Sequence, residues 1–294
     1  MTNYGGIVLA GGNATRLYPS TQSVNKHLLP VYDKPMIYYS MSILLSSGIS
    51  DLTIVCKESD IEDIKRVIGN ERYLGININF AIQNEPKGLP HAIYEGFQKS
   101  LQSQNLVVLG DNFIFGSEFF TKVHQDLQNY TSSTIYLKNI NNYSHLGVAL
   151  INEKKEILDF VEKPNSKNHN YKVITGLYKF TNLFLDAFED ISPSKRNEYE
   201  IVDIFKYQNN LGFLNYIEIG RGTTWYDVGT YDDLNSCSNF VREVQNKQKM
   251  LVCSPHEIAF TKGLITEKEF KEYIQNNKFT DYGKLLAENT EFLD

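Results

Sequence analysis

Short apolar segments alternate with helix-compatible segments over the first 110 residues. Compact or alternating apolar runs predict strands at 6–10, 51–56, 76–82 and 106–109. Apolar residues spaced three and four apart predict helices at 35–45, 59–68 and 89–101. Strands and helices that alternate in this way are typical of a mostly parallel sheet with helices on both faces.

Beyond about residue 130 the pattern changes to strand-like segments without long helices between them. They lie at 134–140, 147–151, 157–162, 173–180 and 214–219. Helical patterns occur at 184–191 and 201–209, and from Tyr231 onward the chain is mainly helical with Lys- and Glu-rich faces and no hexapeptide repeat. We therefore expect an α/β fold: a Rossmann-like mixed, mostly parallel central sheet flanked by helices, with a helical C-terminal appendage.

Composition narrows the classes of protein that fit this fold. Lys and Arg number 29 and Asp and Glu 35, so the formal net charge of −6 disfavours general nucleic-acid binding, which rests on clustered cations. It does not exclude one small phosphate compound bound by a local basic loop. Three widely spaced cysteines without a CxxC pair indicate reduced thiols. Without a signal-like start or an apolar run of about 20 residues, we expect a cytoplasmic protein with no membrane partner.

A glycine pair follows the first predicted strand, in the segment Leu9-Ala10-Gly11-Gly12-Asn13-Ala14-Thr15-Arg16-Leu17. Such a turn lets backbone amides approach a ligand and form an anion-binding concavity, and arginine suits phosphate oxygens. The segment matches neither GxGxxG nor the Walker A pattern. A simple strand–turn with a surface arginine stays an equal alternative on spacing alone.

Five further segments carry candidate chemistry. Lys26 follows the glycine loop by about ten residues, and Asp111 ends a predicted buried strand, where open α/β sheets bind ligands and where Mg²⁺ could be held. Glu162 and Lys163 end a strand just before Pro164; since strand neighbours face opposite sides, both meet one ligand only if the chain bends there. The other two segments are 196–201 and 220–230, the second with the sole tryptophan. A solvated lysine, an Asp-Asn turn and helix-dipole roles for Glu198 and Glu200 remain alternatives.

In order, these segments resemble the sugar-1-phosphate nucleotidyltransferases, most closely the glucose-1-phosphate thymidylyltransferases. The resemblance spans residues 6–283 and rests on six matches of type and order: LAGGxxTRLYP (9–19), Lys26 with LLPVYDKPMIYY (28–39), Gly110-Asp111-Asn112, Glu162-Lys163-Pro164, Thr175-Gly176-Leu177-Tyr178 and Trp225-Tyr226-Asp227-Val228-Gly229-Thr230. Each match alone is weak, whereas six in sequence are specific. The resemblance implies an enzyme that transfers a nucleotidyl group from dTTP to glucose 1-phosphate, for nucleotide-sugar and cell-surface deoxysugar (O-antigen) biosynthesis.

The resemblance also implies site residues. Catalytic positions would be Arg16, Lys26, Asp111, Lys163 and Asp227, and Mg²⁺ would be held by Asp111 and Asp227. The nucleotide would be bound by Leu9, Gly11, Gly12, Thr15, Arg16, Gln83, Pro86, Gly88 and Asp111. The sugar phosphate would be bound by Leu89, Asn112, Gly147, Glu162, Lys163, Ile174, Tyr178, Arg196 and Trp225, with Thr175 and Gly176 in the same pocket.

The resemblance divides the chain into a catalytic unit at 1–230 and an appendage at 231–294. Within the first, 1–115 would bind the nucleotide and 116–230 the sugar; the second would support a homotetramer or homodimer and contain a regulatory site. Four features depart from the family pattern: Ala14 in place of glycine, His27 in place of glutamine, one extra residue in 170–175, and Thr261 where many relatives carry a regulatory arginine. UTP in place of dTTP, another hexose 1-phosphate, and, more remotely, a non-catalytic sugar-nucleotide sensor are the alternatives.

Overall fold

A computed structural model describes residues 4–12, 14–140, 143, 146–164, 168 and 170–290. Its strands are β1 (Gly5–Leu9), β2 (Pro30–Val31), β3 (Lys34–Pro35), β4 (Asp51–Cys56), β5 (Asn77–Ile82), β6 (Asn105–Leu109), β7 (Asn112–Phe115), β8 (Ser133–Lys138), β9 (Gly147–Ile151), β10 (Ile157–Glu162), β11 (Tyr171–Phe180), β12 (Leu214–Glu218) and β13 (Thr224–Asp227). Its α-helices are α1 (Met36–Ser46), α2 (Ile61–Ile68), α3 (Leu89–Lys99), α4 (Ser117–Asp126), α5 (Leu183–Asp190), α6 (Ile201–Asn210), α7 (Tyr231–Gln248), α8 (Pro255–Thr261), α9 (Glu267–Asn277) and α10 (Asp281–Thr290). Short 3-10 helices lie at Thr15–Leu17, Lys26–Leu28, Glu58–Asp60 and Glu71–Tyr73.

One large sheet organises the molecule. Its strand order is β10-β9-β11-β6-β1-β4-β5, and β8 pairs with β11 and with β12. β6, β1, β4 and β5 pair in parallel, whereas β11 is antiparallel to β6, β8 and β9. Only β10 and β11 run against the other strands of this sheet as described. The predicted mixed, mostly parallel sheet with an antiparallel extension is therefore confirmed.

Successive side chains of a strand point to opposite faces of the sheet and contribute to two hydrophobic cores, one on each face. In β1, Ile7 and Leu9 belong to one core and Val8 to the other. The first core is covered by α3, α5 and α6, and the second by α1, α2 and α4. Because both faces are covered, the strands read as continuous apolar runs, which is the pattern that made them predictable.

A two-stranded ribbon and one helix were not predicted. β7 and β13 pair antiparallel, which sets Asp227 opposite Asn112, and α4 follows β7 directly. Both ribbon strands have four residues, and the partners are more than 100 positions apart in sequence. A short strand with a distant partner leaves little periodic signal.

The C-terminal segment is helical, as predicted. Side chains of α7 share a core with Met36, Tyr39 and Phe113 of the main body, α8 packs on α1, and α9 and α10 share a small core of their own. None of the helices in the described parts of the chain is both long enough and apolar enough to cross a membrane.

Gln208 is a buried polar residue whose replacement is expected to stabilise the protein. Its side chain on α6 is wholly buried, and neither amide atom has a hydrogen-bond partner among the described residues. Since an unpaired buried polar group costs about 1–3 kcal/mol, Gln208→Met should raise the free energy of unfolding by about 1–2 kcal/mol in urea denaturation.

Gln245 supplies the matched control for this change. It is also buried, but its side chain bonds Asp33, Lys34 and the backbone of Val252. Gln245→Met should therefore destabilise the protein, because it leaves those partners unpaired. Equal losses of stability in both variants would contradict this account of Gln208.

Candidate functional site

Two adjoining cavities open at the edge of the sheet where the parallel strands β1, β5 and β6 end. The first has a volume of about 230 Å³ and the second about 280 Å³. Four residues line both: Gly88, Leu89, Leu109 and Glu198. This is the edge at which open α/β sheets bind ligands.

The smaller cavity collects residues from the predicted nucleotide site. Its lining includes Leu9, Gly11, Gly12, Gln83, Pro86, Gly88 and Asp111, together with Lys26. Thr15 and Arg16 do not line it and lie exposed on the 3-10 helix that follows the glycine loop. The structure thus brings seven of the nine predicted nucleotide residues to one cavity, while their roles stay predictions.

The glycine loop has the backbone that its sequence suggests. Gly12 has φ of 89°, and Ala14 is left-handed with φ 44° and ψ 41°, a conformation that favours glycine. Asn13 lies outside the described residues. Arg16 packs against Gly229, where a Cβ atom would lie 2.8 Å from its Nη2. The glycine of the 225–230 segment therefore makes room for the guanidinium group.

Asp111, Lys26 and Asp227 form the charged centre between the loop and the ribbon. Lys26 Nζ donates to Asp111 Oδ2, and the backbone amide of Val228 bonds to Asp111 O at 3.0 Å. Burial opposes ionisation of Asp111, yet Lys26 holds the pKa of this carboxyl below its usual value. Burial and the charge of Asp111 raise the pKa of Asp227 to about 7. No hydrogen-bond donor among the described residues meets the Asp227 side chain.

Two side chains of the smaller cavity are held by neighbours. His27 is 3% exposed, its Nδ1 lies 2.8 Å from Asn25 Oδ1, and burial lowers its pKa to about 3, so the ring is neutral. Gln83 Nε2 lies 3.0 Å from His91 Nδ1 and donates to Gly88 O at 3.4 Å. The amide predicted to read the base is therefore oriented by Gly88, which lines the same cavity, and by His91 behind it.

The larger cavity collects all nine residues predicted to bind the sugar phosphate. Its lining includes Leu89, Asn112, Gly147, Glu162, Lys163, Ile174, Tyr178, Arg196 and Trp225, and Asp227 of the ribbon. Lys163 has φ of 49°, which supplies the bend that Glu162 and Lys163 need in order to face one cavity. Burial raises the pKa of Glu162. The contacts of these side chains with a ligand stay predictions.

Asn112 joins three elements of this cavity. Its Oδ1 accepts from Trp225 Nε1 at 2.7 Å and from the amide of Gly176 at 3.2 Å, and its Nδ2 donates to Asp111 Oδ1 at 3.4 Å. Gly176 is required there because a Cβ atom would lie 2.3 Å from Asn112 Nδ2. The side-chain amide of Asn112 thus holds together the segments that line this part of the cavity.

Thr175 was expected in the sugar pocket and does not line it. Ile174, Gly176 and Tyr178 face the cavity, whereas Thr175 is buried and donates to Tyr136 O at 2.8 Å. Alternate residues of a strand face opposite sides of the sheet, so Thr175 belongs to the other face.

Two charged residues that line the cavities, and one that anchors a neighbouring loop, were not predicted. Glu198 and Glu200, considered only for helix-dipole roles, line the larger cavity, and Glu198 lines both. Lys138 donates to Gly220 O and Thr223 O, both at 2.7 Å, and so anchors the loop that precedes β13. Glu200 follows Arg196 by four residues in the loop before α6, and the folded structure shows that the two side chains pair.

A third cavity, of about 510 Å³, lies beneath α8 and contains Thr261. Burial raises the pKa of Glu257 in its wall to about 7. Its described lining holds this carboxylate and no Lys, Arg or His, the remainder being mainly apolar, serine or glycine. Its other end is formed by Phe115 and Gly116, which end and follow β7.

Candidate metal ligands are confined to the two aspartates. No group of three or more His, Cys, Asp or Glu side chains positioned for a metal is found in the described ranges. Asp111 and Asp227 by themselves suit a cation that takes one or two carboxylates and completes its shell with substrate phosphates.

Comparison with known proteins gives consistent matches over nearly the whole chain. A family model described as nucleotidyl transferase matches residues 5–244. The glucose-1-phosphate thymidylyltransferases of Neisseria meningitidis and Xanthomonas campestris are 35% and 36% identical; the matches cover 96% and 98% of this chain and 97% of each relative. A Bacillus anthracis structure described as a glucose-1-phosphate thymidylyltransferase with sucrose has a TM-score of 0.74 at 29% identity, covering 82% of this chain and 96% of that one. A UDP-glucose pyrophosphorylase with UDP-glucose shares the fold, with a TM-score of 0.72 at 23% identity, covering 82% and 98%.

Proposed function

The chain belongs to the nucleotidyl transferase family and is an enzyme of that type, and from this premise we propose that it transfers a thymidylyl group from dTTP to α-D-glucose 1-phosphate. The products are dTDP-glucose and pyrophosphate. One observation carries the proposal: seven of the nine predicted nucleotide residues and all nine predicted sugar-phosphate residues line two adjoining cavities, with two aspartates beside them.

The proposed reaction requires that the two substrates be positioned for attack and that the charge of their phosphates be neutralised. A phosphate oxygen of glucose 1-phosphate attacks the α-phosphorus of the nucleotide; the bond to the bridging oxygen breaks, and pyrophosphate leaves. Because the nucleophile is already an anion, no proton has to be removed from it. Lys163 and Arg196 supply cations in the larger cavity for the sugar phosphate, and Glu162 is placed to accept hydroxyl hydrogens. Such catalysis rests on orientation and on preorganised charge.

The smaller cavity suits the nucleotide. Lys26 and the amides of Gly11 and Gly12 face the place where phosphates would lie, and Gln83 offers an amide to the polar edge of a pyrimidine. Arg16, on the neighbouring 3-10 helix, would approach the same phosphates from the exposed side.

Asp111 and Asp227 would hold a divalent cation, and we propose Mg²⁺. The donor set fits, since Asp227 is a half-buried carboxylate close to that of Asp111, and of the two only Asp111 forms an ion pair with a described residue. When bound, the ion supplies charge neutralisation for the phosphate oxygens during transfer.

The proposal is tested by a panel of four nucleoside triphosphates against glucose 1-phosphate and several other hexose 1-phosphates. We expect pyrophosphate release with dTTP and glucose 1-phosphate, at a kcat/KM at least about tenfold above that of any other pair. A higher kcat/KM with UTP, or with another sugar phosphate, would identify that nucleotide and sugar phosphate as the substrates. Lack of release with every pair would refute the assignment and favour a sugar-nucleotide sensor.

We further propose that residues 1–230 form the catalytic unit and that 231–294 support a homotetramer or homodimer, which acts in the cytoplasm. For the cavity that contains Thr261, we propose that a nucleotide-sugar product does not regulate the enzyme there. The support for this proposal is the lining of the cavity. Its described residues include the carboxylate of Glu257 but no cation that could bind a diphosphate.

A further inference from the structure

Arg196 is held by Glu200 at the wall of the larger cavity. Its Nη2 donates to both carboxylate oxygens, Oε1 and Oε2, at 2.9 Å each. The Arg196 side chain is 52% exposed, whereas that of Glu200 is 18% exposed. An exposed guanidinium group is thus paired with a more sheltered carboxylate.

Glu200 has a fixed place in the fold. It precedes α6 as its N-cap residue, with extended backbone, yet its side chain caps no amide of that helix. The preceding residue, Tyr199, donates its amide to Lys87 O at 2.9 Å, which ties this loop to the wall of the nucleotide cavity. The carboxylate of Glu200 is therefore a rigid reference point, and the side chain bonded to it is that of Arg196.

The geometry leaves part of the guanidinium available. An arginine carries five N–H donors, and Glu200 engages the two on Nη2. The donors on Nε and Nη1 have no partner among the described residues. Those donors suit the oxygens of a phosphate, and Lys163 lines the same cavity as a second cation.

We propose that Glu200 is a positioning residue that orients Arg196 toward the phosphate of the hexose 1-phosphate. This inference rests on the proposed function, since it assumes that a sugar phosphate enters this cavity. An arginine free on an exposed loop loses rotamer freedom when it binds a ligand; one already paired with Glu200 has lost much of that freedom in advance. The charge of Glu200 is thereby used within the protein and repels the phosphate less.

The test is a double-mutant cycle. We expect Glu200→Gln, which keeps the shape and one acceptor, to raise KM for glucose 1-phosphate about tenfold, the usual worth of a hydrogen bond between charged groups. The kcat and the KM for dTTP should stay within about twofold. In an Arg196→Ala background, the same Glu200→Gln change should alter KM by less than about twofold, because the side chain through which it acts is gone.

A matched control comes from α4. Glu118 and Lys122 form an ion pair with the same spacing of four residues, at 2.9 Å, away from both cavities. Glu118→Gln should leave all three kinetic constants unchanged. It separates a loss specific to the cavity from the loss of an ion pair elsewhere in the protein.

Three outcomes would overturn the proposal. A fall in KM would show that Glu200 competes with the phosphate for Arg196. An equal effect in both backgrounds would show that Glu200 acts on the substrate directly, and parallel losses in kcat and in both KM values would show a structural role. If the unmodified protein turns over no substrate pair, the proposed function fails. The role of Glu200 is then decided by calorimetric measurement of glucose 1-phosphate binding to the same variants. Absence of binding to the unmodified protein would contradict the proposed role of Glu200.

Discussion

Asp227→Asn is expected to lower kcat for pyrophosphate release by about 100- to 1000-fold, because it removes one of two carboxylates proposed to hold the divalent cation. The same change should stabilise the metal-free protein at pH 8. Burial and the charge of Asp111 raise the pKa of Asp227 to about 7, so the ionised carboxylate opposes folding above that pH. Opposite effects on activity and on stability are typical of a functional carboxylate held at an energetic cost.

The pH dependence gives the stability effect a definite sign. A carboxyl whose pKa is raised on folding has no penalty below its unfolded pKa of about 4, and the penalty grows until the pH passes its folded pKa near 7. Urea denaturation in EDTA should therefore show a gain on the order of 1–3 kcal/mol for Asp227→Asn at pH 8 and a smaller gain at pH 5.

Asp232 provides the control for this variant. It is an exposed acid in the first turn of α7, five positions further along. Asp232→Asn should change neither kcat nor the pH profile of stability by a comparable amount. Normal turnover in Asp227→Asn, or a loss of stability at pH 8, would contradict the assigned role of Asp227.

Gly88→Ala is expected to raise the KM of both substrates at least about tenfold and to reduce kcat/KM a hundredfold or more. Gly88 has φ of 98° and ψ of 170°, a backbone conformation that glycine alone adopts readily. A Cβ atom there would lie 2.3 Å from Tyr199 O and 2.8 Å from Tyr199 N. The substitution must separate two loops that together wall both cavities, and steady-state kinetics would record the loss in each substrate.

Gly212 separates this effect from backbone strain alone. Its φ is 75°, but no atom of the described residues lies within 4 Å of an added Cβ atom. Gly212→Ala should therefore cost about 1 kcal/mol of stability and leave kcat/KM within about twofold. Equal stability losses in the two variants, with unchanged KM in Gly88→Ala, would show that the contact with Tyr199 has no bearing on the site.

Local patterns of apolar and polar residues predicted most of the strands and helices of the fold. The strands β1, β4 and β6 are buried on both faces and read as apolar runs, the edge strand β5 alternates apolar and polar residues, and the helices between them keep regular apolar spacing. The prediction missed the ribbon of β7 and β13, whose partners are distant in sequence. Their pairing depends on tertiary contacts that no local window contains.

Residue types and motif order were sufficient to name the side chains that meet at the two cavities. They could not show how those side chains hold one another. The pairing of Glu200 with Arg196, the anchoring of a loop by Lys138 and the amide bridge from Asn112 to Trp225 join segments through distances that only the folded chain sets.

By itself, then, the sequence determined the alternation of strands and helices, which depends on local periodicity. It also determined the family resemblance, which rests on the order of the motifs and implied most of the cavity residues. The tertiary structure alone decided that Thr175 faces away from the cavity, that Glu200 pairs with Arg196, and that a Cβ atom at position 88 would collide with the backbone of Tyr199. Each of these depends on which strand face or loop crossing a residue occupies, and long-range packing sets that position.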